Sequence, residues 1–521
     1  MKHFTSKMSL WHSLWISHYC KFFSYNPALI YGLNIFLGFF ASFQMTYTIL
    51  LPFILLAYPS ACSIPKQAKI RTLLASTVAI CAFFYGHMIY SFPTIPEKGL
   101  EGKAHIDITA IRATNTHFSQ SWAYRGTVRS FTYDGKRIAS NIPYTMHLPR
   151  TGPRPPADKE YILNAKLMPT ESYYYRLKPL PSTFWHPIRG SRSLVERRLK
   201  AKTSLAKYVH KHIKHPRSAA FLTSLITGEF HDRYTLFEFG KLGLQHIMAI
   251  SGFHFSIIAG MIALFLRAFL SYKNASRLLL LFLTSYFVFI GCTPSILRAW
   301  ISIMIVLCGQ LIGKPPSSLN TLGVALVTAL IYDPMVCQNL GFQFSFIATG
   351  AILLLYAPFN KALEFIFPSR TLPTALKMDH LNQWGYILVS IMKKAMALTL
   401  AVHAVTIPIM LLNFHRFPIL GLIMNLFFPL LVSVAITTFL LAIAITAVIP
   451  PVGEIIHGAV SVYTSWIVNF AISIPTTLNF VWRVKDMPLS IFTIYMCLLC
   501  IGGIIMYNKS RDCDLLLYPA L

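Results

Sequence analysis

The chain has 521 residues, of which 55% are hydrophobic and only 12% charged, where ordinary globular chains carry about 25% charged residues. A wholly soluble chain of this length would form about three domains. Too few polar side chains remain to coat them, so an all-soluble protein is excluded and lipid must cover much of the outside. The charge balance is 46 Lys+Arg against 18 Asp+Glu, a net +28.

Much of that excess sits in residues 92–215, with 22 Lys+Arg, 8 Asp+Glu and a net +14. A basic segment suits phosphate polymers or anionic headgroups. It is equally what the Lys/Arg excess of cytoplasmic loops looks like. None of the nine cysteines falls there, so that segment has no disulfide framework. Cys497 and Cys500 form a CxxC inside an apolar run with no second pair, which reads as packing.

In chain order, no charge appears between Leu29 and Ile64. That run is too long for one span of about 20 residues and predicts a tight hairpin of two. A third apolar run covers Thr72–Tyr90. It starts too late and is too long for a cleavable signal peptide. Lys2, Lys7 and Lys21, then Lys66, Lys69 and Arg71, mark the inner side by the positive-inside rule. The third span then delivers the next segment to the outer side.

Between 92 and 185 the pattern changes. Ala104, Ile106, Ile108 and Ala110 alternate with polar residues, the period of a half-buried strand. Asp134-Gly135 separates the strand-like runs 123–133 and 137–148 and signals a type I′ hairpin turn. With Tyr161–Met168 these make a small β-module, read as an OB-like barrel. In 193–215, Val195, Leu199, Ala206, Val209 and Ile213 share one helical face, with Arg198, Lys202, Lys207, Lys211 and Lys214 around the rest. Such a basic amphipathic helix suits a membrane surface or nucleic-acid phosphates.

From Gln245 onward apolar runs cover 246–266, 278–292, 295–312, 319–335, 340–357, 395–412, 417–449, 458–478 and 488–507. The 417–449 run reads as one long tilted helix or two short ones. The expected fold class is a polytopic α-helical membrane protein of about 12 spans with a small N-terminal OB-like β-barrel insert. The expected division is 1–91 (membrane segment), 92–185 (barrel), 186–240 (basic amphipathic linker) and 241–521 (polytopic domain).

Three stretches carry unusual chemistry for lipid-facing helices. The first runs Gly243-Leu-Gln-His246-Ile-Met-Ala-Ile-Ser251-Gly252-Phe-His254-Phe-Ser256. Polar groups inside a membrane are costly unless they face protein or water. The stretch therefore lines an interior, or else packs helices through small residues with satisfied core histidines. In an unbroken helix the two histidines, eight positions apart, are rotated by about 80°. A break at Ser251-Gly252 would turn both inward, where neutral imidazoles can hydrogen-bond phosphate or base edges. No Asp, Glu or Cys stands at ligand spacing, so neither a metal nor a cofactor is expected. The second is Pro294-Ser-Ile-Leu-Arg298-Ala299, with Arg298 the sole charge between Leu278 and Gly313. Such an Arg can snorkel to the interface or face a pore. The third is Asp333-Pro334, then Gly341-Phe-Gln343-Phe-Ser345-Phe, where Gln343 and Ser345 are candidates for inter-helix hydrogen bonds.

These three motifs, in this order, resemble those of the ComEC family of competence DNA-uptake channels. That family has Gly-Leu-x-His-x-x-Ala-x-Ser-Gly-x-His, Pro-Ser-x-x-Arg-Ala, and Asp-Pro followed by Gly-Phe-Gln-x-Ser-Phe. The resemblance covers most of residues 29–510. It implies passage of single-stranded DNA across the bacterial inner membrane into the cytoplasm during natural transformation, with the insert on the outer side. The implied DNA path is His246, Ser251, Gly252, His254, Ser256, Arg298, Gln343 and Ser345. The implied DNA-binding surface is Trp122, Tyr124, Arg125, Arg129, Lys136, Arg137, Arg198 and Lys202. Partners would be single-stranded DNA, membrane lipids, a separate periplasmic or surface DNA receptor and a separate cytoplasmic ATP-driven motor.

Many family members add a C-terminal metallo-β-lactamase-like domain. Its His-x-His-x-Asp-His string does not occur, nor does a GxxxxGK[ST] loop. Neither nuclease nor ATPase activity is expected. A transporter for a polar lipid or small anion, or a membrane scaffold without transport, are the competing readings. Transport needs a hydrated cavity beside His246, His254 and Arg298, whereas a scaffold would be dry there.

Overall fold

The N-terminal segment is broken before the uncharged run 29–64, at Asn26-Pro27, a break that the expected hairpin did not include. Helices α1 (Lys2–Tyr25) and α2 (Pro27–Gln44) meet at a 100° bend around Asn26. Proline has no N–H and opens the second helix instead of continuing the first. The buried Asn26 amide donates to Phe22 O at 3.0 Å and accepts from Ser317 Oγ at 2.9 Å. The computed structural model describes residues 2–44, 65–90, 95–115, 120–150, 154–170, 174–181, 183–190, 193–230, 232–248, 252–314, 316–478 and 480–517. Most of the second arm of the expected hairpin, 45–64, lies outside these. Helix α3 (Lys66–Ile89) follows and lies against α2.

Seven strands come next: β1 (Leu100–Asn115), β2 (Gln120–Tyr133), β3 (Lys136–Ala139), β4 (Ile142–Pro149), β5 (Lys159–Met168), β6 (Tyr175–Pro179) and β7 (His186–Gly190). The expected alternation in β1 holds for Ala104, Ile106 and Ile108, which are buried, and ends at a register shift before Ala110, beyond which Ile111 takes the inward position. Asp134 and Gly135 both have positive φ, 52° and 75°, the type I′ geometry that joins β2 to β3. β1 pairs antiparallel with β2 and with β5, β2 with β4, and β5 with β6, while β4 and β6 pair in parallel. The pairings thus lead from β1 round through β2, β4, β6 and β5 to β1, an order compatible with an OB-like barrel. β6 and β7 are short and were not legible as alternation, and β7 carries the sheet past residue 185 to Gly190.

Helix α4 (Val195–His212) joins the two halves of the molecule. Val195 and Leu199 enter the sheet's core, with Ile111 and Tyr161. Val209, with Ile213 just beyond the helix, enters the helical core, with Phe428 and Phe439. The apolar face foreseen for a membrane surface is therefore spent on protein at both ends.

The remaining helices are α5 (Pro216–Thr227), α6 (Arg233–Lys241), α7 (Gln245–Met248), α8 (Gly252–Phe269), α9 (Tyr272–Ile290), α10 (Pro294–Ile312), α11 (Ser318–Tyr332), α12 (Leu340–Leu363), α13 (Leu372–Leu376), α14 (His380–Phe414), α15 (Leu420–Val448), α16 (Pro450–Ser473) and α17 (Leu489–Leu517). A 3₁₀ turn, Pro334–Gln338, precedes α12, and the short strands β8 (Arg416–Pro418) and β9 (Val481–Arg483) pair antiparallel. Among the described residues nine helices are long and apolar enough to cross a membrane, ten if the bent α1–α2 pair counts as one span. This is a multi-pass membrane protein. The ambiguous 417–449 run is one continuous helix, α15, with Pro429 inside it. The stretch between the expected apolar runs 340–357 and 395–412 is largely helical, because α12 runs to Leu363 and α14 starts at His380. Helix α11 has only 15 residues. It packs closely enough on α2 for Asn320 Oδ1 to accept from Ala28 N at 2.8 Å.

The bundle has two distinguishable ends. Arg198 of α4 lies against Gly291, just past α9, so that end adjoins the sheet. Tyr332, the last residue of α11, and Asp333 after it lie near Arg198 and Cys292 at the same end. Helix α12 starts there and, at 1.5 Å per residue over 24 residues, reaches about 36 Å away. Arg267, Lys273, Arg277, Lys314 and Lys361 therefore gather at the opposite end.

Candidate functional site

The three polar motifs meet inside the bundle. Pro294 opens α10 at a position where a missing N–H costs nothing, and Arg298 follows on the first turn. Its Nε donates to Ser345 Oγ on α12 at 2.8 Å. Its other face lies on α8. A Cβ placed on Gly252 would stand 2.6 Å from Arg298 Nη2 and 3.2 Å from Ala299 Cβ. Only a glycine lets the two helices approach this closely without displacing the guanidinium. One cation thus ties α8, α10 and α12 together, with the side chain half-buried.

The other residues of the third motif hold the local chain. Asp333 Oδ1 accepts from Met335 N at 3.0 Å and Asn339 Oδ1 from Phe342 N at 3.2 Å, capping the 3₁₀ turn and α12. Gln343 Nε2 donates to Cys337 O at 2.8 Å and pins the turn to the helix. Gln343 is thereby engaged in local structure, while Ser345 is the residue that meets Arg298.

Around this point the first motif splits between α7 and α8; Ser251 lies outside the described residues. His246 on α7 is accessible, whereas His254 on α8 is buried. Each histidine is near the other, and His246 is also near His403 of α14. Ser256 is exposed and donates to Gly252 O at 2.8 Å. His403 Nδ1 is 2.8 Å from Thr399 O, which makes it the donor, and Nε2 accepts from Asn425 Nδ2 of α15 at 3.3 Å. The three imidazoles and Asn425 thus form one polar group among apolar helices, and Arg298 with Ser345 forms a second, which reaches α8 at Gly252. Sequence reading missed His403 and Asn425. Each is an isolated polar residue in an apolar run, and their meeting depends on helix packing. Among the described residues no three His, Cys, Asp or Glu side chains group to hold a metal ion.

The sheet half presents its cations unevenly. Arg125, Arg129, Lys136 and Arg137 are exposed. Arg129 is tied to Asp107 and Glu160 at 2.9 and 3.1 Å, and burial raises the Asp107 carboxyl above its ordinary value despite that cation. Trp122 is half-buried under the guanidiniums of Arg150 and Arg154, 4.7 and 5.1 Å from its ring. Three expected surface residues lie elsewhere. Tyr124 is fully buried in the sheet core, its hydroxyl donating to Pro155 O at 2.9 Å. Lys202 is buried in an ion pair with Glu229 at 3.2 Å; desolvation lowers its pKa and Glu229 opposes that shift. Arg198 faces the end of α9 and not open solvent.

A second group of cations gathers around Arg125, the one member of it that was expected at such a surface. Arg125 lies over the Tyr174 ring at 5.7 Å. His147, on the neighbouring strand, is held below its ordinary pKa by burial and then by Arg176, Arg125 and Arg233. Arg112 is also beside Arg125, and its pKa is lowered mainly by burial. Arg233 starts α6, so this basic rim spans the junction between sheet and bundle. Its members come from four strands and a helix, a grouping that sequence spacing does not display.

Residues 229–509 match the family described as Competence protein, more than half of the chain. The chain belongs to the competence protein family. It is 27% identical over 214 residues to ComE operon protein 3 of Bacillus subtilis (strain 168), covering 40% of this chain and 24% of that relative. The match thus spans about a quarter of the relative's length. No solved structure matches the chain. All three motifs and the whole Arg298 zone fall inside the matched region, whereas the sheet lies before it.

Proposed function

We propose that the protein conducts single-stranded DNA across the inner membrane, entering from the side of the sheet and leaving at the Lys/Arg-rich end. The observation that carries this reading is the junction of the three polar motifs on Arg298 inside the bundle. A strand crossing lipid needs polar groups at depth, and a guanidinium packed on α8, the helix that also carries His254, offers a phosphate contact without a metal. The basic rim at Arg125, Arg176 and Arg233 lies at the junction of sheet and bundle, where an anionic polymer would be gathered. The exposed apolar belt suits the cytoplasmic membrane, and the Lys/Arg-rich end suits its inner face. No ATP-binding loop is present in the sequence, so a separate motor would pull the strand.

The test uses the full chain in nanodiscs. Single-stranded DNA should bind with an affinity that falls as salt rises, because phosphate contacts release counterions. Changing Arg125, Arg176 and Arg233 together to Gln should lower the log–log salt slope by about 0.7 for each phosphate that is no longer neutralised. An unchanged slope would remove the rim from the path.

A further inference from the structure

At the end of the bundle opposite the sheet, the segment 366–370 that follows α12 and helix α14 line a cavity of about 330 Å³ that no step above uses. Ser369, Arg370, Asn382, Tyr386, Ser390 and Lys393 line it. Lys393 is 6% exposed; its Nζ donates to Ser369 Oγ at 2.9 Å and lies 3.6 Å from Glu364 Oε1. Arg370 forms no ion pair among the described residues, and its Nη1 meets the Met378 sulfur at 3.7 Å. A buried ammonium, a guanidinium with an unfilled fork, hydroxyls and an amide around one space make a receptor for a phosphate group. The nearby Glu364 carboxylate is the internal anion that such a ligand would displace.

The surroundings identify the rest of the ligand. Asn382, Tyr386, Ser390 and Lys393 of α14 line the cavity. Leu381, Trp384, Leu388 and Ile391 of the same turns are exposed, as is Phe365. Leu381 is 81% and Trp384 71% exposed, too apolar a stripe for water. In a bilayer, Trp beside basic residues at a helix end marks the headgroup level. Polar and apolar surfaces thus lie side by side on one helix, matching a molecule with an anionic head and acyl chains.

We infer that this cavity binds the phosphate headgroup of an anionic phospholipid, with its acyl chains along the Leu381–Ile391 face of α14. The phosphate bridges Arg370 and Lys393, and the Glu364 carboxylate competes with it for Lys393.

The experiment is native mass spectrometry of the full chain released from nanodiscs of equal phosphatidylglycerol and phosphatidylcholine. The wild type should retain phosphatidylglycerol preferentially. Arg370→Gln, on an exposed side chain, should lower that preference about tenfold, the scale of one charge-assisted hydrogen bond. Glu364→Gln should raise it by removing the competitor. Equal retention of both lipids by the wild type, or retention indifferent to both substitutions, overturns the inference. So does displacement of the lipid by millimolar glycerol phosphate, which would make this a site for a soluble anion.

Discussion

Arg298 is bound on two sides by residues that differ in what they tolerate. Ser345 supplies one hydrogen bond, whereas Gly252 supplies only room. Gly252→Ala should therefore be more damaging than its single methyl suggests. The new Cβ overlaps the guanidinium, so DNA uptake should fall by about tenfold or more, since each 1.4 kcal/mol of displaced interaction is a factor of about ten. Membrane insertion should persist, and a transformation assay run beside an immunoblot of the membrane fraction separates the two. Full uptake in Gly252→Ala would mean that the close approach to Arg298 is dispensable. The Lys202–Glu229 pair behaves differently, because both groups are buried. Glu229→Gln leaves an ammonium uncompensated beside Arg112 and should cost about 3–5 kcal/mol. Lys202→Met combined with Glu229→Leu should recover most of that loss, read as the Tm of the purified chain in detergent. Neither the burial of Lys202 nor the engagement of Gln343 with Cys337 O was visible in the sequence. Both depend on an acceptor in another segment, and a residue type with its spacing does not reveal its acceptor.

Among the elements, α4 is the one whose role changes most between pattern and structure. Its periodicity was legible, but the identity of the surface it covers was not, since lipid, nucleic acid and protein all suit a basic amphipathic helix. The apolar positions Val195 and Leu199 belong to the sheet and Val209 to the bundle, which makes α4 a brace. Glu196 fixes its first turn: Arg154 Nη1 donates to Glu196 Oε2 at 2.9 Å and Ala157 N to the same oxygen at 3.3 Å. The Arg154 hydrogen bonds lead in holding the Glu196 carboxyl below the ordinary value of 4.5. A carboxylate depressed in the folded state binds fewer protons there than when unfolded. Its stabilisation is complete above the ordinary glutamate pKa and is lost as pH falls from there through the lower folded value. Glu196→Gln should accordingly lower the Tm at pH 7 and flatten the acid side of the Tm–pH curve. An acid limb identical to that of the wild type would mean that Glu196 does not brace the helix. The long strands β1 and β2 were readable because alternation and an Asp-Gly turn are local signals. Strands β6 and β7, five residues each, acquire their identity only by pairing, both with β5 and β6 also with β4.

At the scale of the molecule, the sheet and the bundle form one axis: a basic rim at the junction, the Arg298 zone within the helices, and a positively charged far end. The motifs that mark the middle of this axis were readable in the sequence. Their convergence on one side chain comes from the packing of α8, α10 and α12, which sequence order does not specify. Of the rim only Arg125 was picked out in the sequence, because the rim gathers single residues from separate strands and from α6. The path past Arg298 is tested most directly by stalling single-stranded DNA during uptake with a bulky adduct on its trailing end. A photo-crosslinking amino acid placed at Ser256, exposed and one helical turn from Gly252, should capture the stalled strand. The same amino acid at Phe265, 64% exposed on α8 and away from Arg298, should capture lipid and no DNA. Crosslinks to DNA from 265 and none from 256, with the strand still stalled in the membrane, would contradict a route beside Arg298.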